Sequence, residues 1–148
     1  MDHTPIVYSK AMSDILTIIM RWLHISSMAT LVGGVLYGRL VMAPAIATVS
    51  PDSGDEIGNK AAAAYRPLVI AAMIGSIMSG IYRLLITPGH SALYHALLGI
   101  KLLLVLHVFA VALLVVKPKN PRRNRMMTGM VISGLCIVLI SAWLSRIF

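Results

Sequence analysis

Four long apolar runs follow one another through this chain of 148 residues, with only short polar stretches between them. The hydrocarbon core of a bilayer, ~30 Å thick, takes about 20 apolar residues of helix to cross. Lipid offers no partner for backbone N–H and C=O groups, so a chain immersed in it closes its hydrogen bonds inside helices or a sealed barrel. Continuous apolar runs of this length, without period-two alternation, select helices. The pattern predicts spans over residues 14–47, 62–86, 91–116 and 126–148. These use up the chain, so the expected fold class is all-α. It is a single integral membrane domain, residues 1–148, arranged as an up-down four-helix bundle, because short connections make successive helices antiparallel neighbours.

The connections carry the expected punctuation. Pro44 stands near the inner end of span one, and Ser50-Pro51-Asp52-Ser53-Gly54-Asp55-Glu56 reads as polar turn chemistry. Thr87-Pro88-Gly89 closes span two, and Lys117-Pro118 follows span three. Only 12% of residues are charged, against about 25% in soluble domains, which leaves too few charges to cover a water-facing surface.

The net charge of +8 is not a nucleic-acid signature. Five of the thirteen cations, Lys117, Lys119, Arg122, Arg123 and Arg125, crowd the stretch before the last span. A basic loop between apolar helices marks the cytoplasmic side and attracts anionic lipid headgroups. The expected orientation puts both termini on the outer, periplasmic side of a bacterial inner membrane. Cys136 is the single cysteine, so no disulfide or cysteine cluster forms within one chain. Asp2, His3 and Lys10 precede the first apolar run, which does not resemble a cleavable signal peptide.

Small residues recur at four-residue spacing: Gly34 with Gly38 in span one, and Gly75 with Ser79 and Ser76 with Gly80 in span two. Such spacing lets helix backbones approach closely in a membrane, within one bundle or between subunits.

Ionisable groups inside spans are costly and default to functional candidates. Here they are Arg21, His24, Arg83, Lys101 and His107. His24 and His107 fall near mid-membrane, on different helices. Two such imidazoles are a common way for a bundle to grip haem iron. Arg21, Arg83 and Lys101 lie nearer the outer side, where cations suit porphyrin carboxylates. Lys101 and His107 are six residues apart, about 120° around a helix, so they do not both point at one site. Met20, His24 and Met28 share a face of span one, and thioether with imidazole suits Cu(I), the rival metal. A plain structural reading also stands for each: a histidine bonded to a neighbouring helix, cations snorkelling to the interface, Arg21 paired with Asp14, methionines filling gaps.

Arg21-Trp22-Leu23-His24, then Gly33-Gly34 and Leu36-Tyr37-Gly38-Arg39-Leu40, resembles the first helix of the HemJ-type protoporphyrinogen oxidases and the related CopD-like membrane domain. Thr87-Pro88-Gly89 and the run from Ile100-Lys101 to Leu106 resemble the end of the family's second helix and its lysine-bearing third helix. The four-span plan with a basic loop before the last span is similar throughout. Gly38-Arg39 stands where the family usually has Pro-Arg, and the family's third-helix histidine usually lies further along than His107. The resemblance implies a b-type haem, with functionally required roles falling on His24 and Lys101. It also implies oxidation of protoporphyrinogen IX to protoporphyrin IX, with electrons passed to an acceptor. The other expectations are a b-type cytochrome or accessory subunit within a homo-oligomer or larger membrane redox complex, and a CopD-like copper-handling protein.

Overall fold

The computed structural model describes residues 4–86 and 92–147. Helix α1 (Thr4–Tyr37) continues through a π-helical turn (Gly38–Met42) into the short α2 (Ala43–Ile46). Three long helices follow: α3 (Pro51–Ile86), α4 (Ala92–Val115) and α5 (Arg123–Ile147). No strand occurs among the described residues. Four helical stretches, Met12–Ile46, Pro51–Ile86, Ala92–Val115 and Arg123–Leu144, are long and apolar enough to cross a membrane. The chain is therefore an all-α integral membrane protein. The Thr87-Pro88-Gly89 closure, His90 and Phe148 lie outside the described residues.

Two helices outlast their apolar stretches. The segment from Ser50 to Glu56, expected as a turn, is helical from Pro51 onward. Pro51 fits the first helical position, where a missing N–H costs nothing. Asp52 stands in the first turn, facing the positive end of the helix dipole. Lys60 Nζ and Glu56 Oε1 pair at 2.6 Å one turn apart. Polar residues that read as loop thus extend α3 by about three turns, at 3.6 residues per turn, ahead of the apolar run that starts at Ala62. Likewise α1 begins at Thr4, ahead of Asp14.

Pro44 does not end the first span outright. A proline ring clashes with the carbonyl four residues back and offers it no hydrogen. The helix widens just upstream, where the Ala43 amide bonds the Gly38 carbonyl in the π pattern, and resumes through Pro44 in α2.

Helix α1 packs chiefly against α3, and α4 against α5. Contacts between α1 and α5 are fewer, and those between α3 and α4 fewer still. Successive bonds between α1 and α3 join Thr17 to Tyr82 and His24 to Ser79, and the Tyr65 hydroxyl donates to the Thr30 carbonyl. The numbers rise on one helix as they fall on the other, so these two run antiparallel.

The glycine spacing is used within the chain. The Tyr65 ring lies where a side chain on Gly34 would go, and Met127 Sδ would be 3.3 Å from a β-carbon on Gly38. A side chain on Gly75 would meet the Ser27 hydroxyl and Leu23. Around Gly80 there is open space, so of the two small pairs in span two, only that of Gly75 and Ser79 seats α1.

The apolar core sits toward the basic loop. It comprises Leu31 and Val35 of α1, Val69 and Ala72 of α3, Val108 and Ala112 of α4, and Met130 and Ile137 of α5, with their neighbours. Arg123 secures that end. Its Nε donates to the Val115 carbonyl at 3.2 Å, and its Nη2 to the Lys117 carbonyl at 3.1 Å and to Asn59 Oδ1 at 2.8 Å. Asn59 Oδ1 also accepts the Lys119 amide at 3.0 Å. This grip holds Lys119 in the left-handed region, φ 53°. One arginine caps α4 and ties the loop to the overhang of α3.

Candidate functional site

Toward the other end of α1 and α3 the packing changes character. Between the two helices the buried residues are small and polar: Ser27, Gly75, Ser76 and Ser79. Into this seam projects His24, half-buried, with Nδ1 2.9 Å from Ser79 Oγ.

The serine's other bonds decide which partner donates. Ser79 Oγ lies 2.6 Å from the Gly75 carbonyl and 3.2 Å from the Ser76 carbonyl, both on its own helix. A hydroxyl has one proton, and a carbonyl can only accept it. With that proton on the Gly75 carbonyl, Ser79 Oγ accepts from Nδ1–H of His24. The Ser76 carbonyl also lies beside the ring as an acceptor. Nδ1 therefore carries the hydrogen, and Nε2 carries the lone pair. Metal-binding histidines are oriented in this way, with the second nitrogen donating to a neighbouring acceptor.

The charges of Lys101 on α4 and Arg83 on α3 both act on His24, and Arg83 acts on Lys101. Three basic groups from three helices thus share one neighbourhood. Lys101 is half-buried, and no acidic group pairs with it among the described residues. The sequence allows few candidates, since no acid follows Glu56. Beside the cluster, Ser76 Oγ is buried and has no hydrogen-bond partner.

The structure separates the other candidates. On α4, Lys101 stands at the head of an inward stripe through Leu104, Val105, Val108 and Ala112. His107 lies off that stripe and is exposed, between the exposed Leu103 and Leu106 and the next turn. His24 and His107 therefore do not converge from α1 and α4. Arg21 is exposed and forms no ion pair with Asp14. Met28 packs against the apolar core, and Met20 is half-buried one turn before His24. No group of three histidine, cysteine or acidic side chains placed to hold a metal ion occurs among the described residues.

Ser79 and Ser76 escape a reading of residue types. In the sequence they register only as small residues that favour packing. Their polar role depends on the register that sets residue 79 opposite residue 24.

Comparison with protein-family models, curated proteins and solved structures finds no match for this chain.

Proposed function

We propose that the chain is a haem-b-binding membrane redox protein of the HemJ-like kind, acting on protoporphyrinogen IX. The observation that carries this reading is the convergence of His24, Lys101 and Arg83 beside a buried seam. A neutral imidazole with its lone pair at Nε2 could ligate haem iron. Lys101, with no acidic partner among the described residues and in a medium of low dielectric, favours an anionic ligand. A porphyrin meets both demands, with a metal-binding centre and carboxylates on its rim.

In this reading His24 Nε2 would hold the iron, and Ser79 would fix the ring that presents it. Lys101 and Arg83 take the carboxylates. Bound haem supplies one-electron exchange at this point in the membrane. Lys101 replaces His107 as the α4 residue facing the site. The four helices form an up-down bundle with the basic loop on the cytoplasmic side of a bacterial inner membrane and both termini outside.

The test is an optical spectrum of detergent-purified protein, oxidised and reduced, after expression with an ample haem supply. A Soret band that shifts on reduction is expected, and it should vanish in His24→Ala while the protein still inserts. A colourless wild-type protein overturns the reading. Oxidation of added protoporphyrinogen IX by the pigmented protein then distinguishes an oxidase from an electron-carrying subunit with no substrate of its own.

A further inference from the structure

At the basic end of the bundle, the π-helical turn and α5 place one arginine each near Thr128. Arg39 Nε donates to Thr128 Oγ1 at 3.0 Å. Thr128 gives its own proton to the Asn124 carbonyl at 3.1 Å, so it receives the arginine as an acceptor. Arg125 lies three residues before Thr128 on α5, on the same stretch of helix surface. Arg125 and Thr128 are exposed, and Arg39 is half-buried. The single bond from Nε orients the Arg39 guanidinium and leaves its two terminal nitrogens for another acceptor.

No acid pairs with either arginine among the described residues. The acids of this end are engaged elsewhere or set apart on α3: Glu56 holds Lys60, and Asp55 acts on Arg123. Thr128 lies five residues beyond the start of α5, about 8 Å along the helix at 1.5 Å per residue. With the basic loop at the membrane surface, that depth falls where headgroup phosphates meet the acyl chains. Beside the arginines the surface is apolar, with Leu40 and Val41 exposed. A ligand here meets cations at one end and hydrocarbon-facing side chains at the other.

We propose that the surface where the π-helical turn meets α5 is a binding site for an anionic phospholipid. The Arg39 and Arg125 guanidinium groups grip its phosphate, and its acyl chains lie along Leu40 and Val41. Planar guanidinium forks match phosphate oxygens, and basic pockets between membrane helices are a known form of headgroup recognition. The site is independent of the porphyrin reading, because it shares no residue with the His24 cluster.

The experiment is native mass spectrometry of the full chain in detergent, with phosphatidylglycerol or phosphatidylcholine added. The wild type should retain phosphatidylglycerol in preference to phosphatidylcholine. The R39Q/R125Q double variant should lose about tenfold in retention, the scale of losing charge-assisted hydrogen bonds. R125Q alone should lose several-fold, and it keeps the bond from Arg39 of the π-helical turn to Thr128 of α5. A K117Q/K119Q variant removes the same charge from the loop and should change retention by less than about twofold. Equal losses in the loop and arginine variants would show diffuse attraction and overturn the site, as would undiminished retention in R39Q/R125Q. Added inorganic phosphate should not displace the lipid; displacement at millimolar phosphate would mean a phosphate site rather than a lipid site.

Discussion

His24 shows how much of a membrane residue's chemistry lies in its second neighbour. Its position in the apolar run marks it as costly, but the direction of its lone pair comes from a serine 55 positions away in the chain. Replacing Ser79 with alanine removes the acceptor for Nδ1–H and frees the ring. If His24 holds haem iron, Ser79→Ala should weaken haem retention by about 10–100-fold, the usual loss on removing such a partner. It should also shift the reduction midpoint, read by spectroelectrochemistry. A Ser79→Thr variant restores the hydroxyl and should recover both. Lys101 and His107 form the second contrast at this scale. Sequence spacing shows only that they diverge, and the fold turns Lys101 inward and leaves His107 exposed. If the chain binds haem, Lys101→Ala should therefore alter its spectrum, and His107→Ala should leave it unchanged. The opposite result would return the ligand role to His107.

Among the helices, glycine marks where two backbones come close, and neighbouring glycines differ. Gly33 faces open space, whereas the Tyr65 ring fills the position a side chain on Gly34 would need. Gly33→Ala should be neutral or stabilising by up to about 1 kcal/mol, since alanine is the better helix former. Gly34→Ala displaces Tyr65 from the Thr30 carbonyl and should cost about 1–3 kcal/mol, the scale of overpacking a tight interface. Thermal unfolding in detergent, followed by helical circular dichroism, reads both. Matching behaviour of the two variants would show that α1 does not seat on α3 in this register. The start of α3 carries a different lesson. Proline, serine and three acids look like a loop in a one-dimensional reading, yet they make a serviceable helix start when a long helix follows. The apolar stretch marks where a helix meets lipid, and capping and charge pairing decide where it ends.

For the molecule as a whole, the asymmetry of charge predicts orientation. Reporter fusions after Pro121 should read as cytoplasmic, and fusions at the C-terminal end as external. Agreement between the two would leave an even number of crossings between them and remove the four-span bundle. The sequence by itself determined that the chain is helical, that it crosses a membrane and that its costly ionisable groups are few enough to name. Those properties follow from composition and length, because the energy of placing a residue in hydrocarbon depends mainly on its own side chain. The tertiary structure alone decided that His24 meets Ser79, that Lys101 and not His107 faces the seam, and that Gly75 rather than Gly80 seats the first helix. Helices that are apolar on nearly every side carry little periodic signal of which face turns inward. Their rotation and register are set by the fit of small residues against neighbouring helices, a property of pairs of helices that no single stretch of sequence contains.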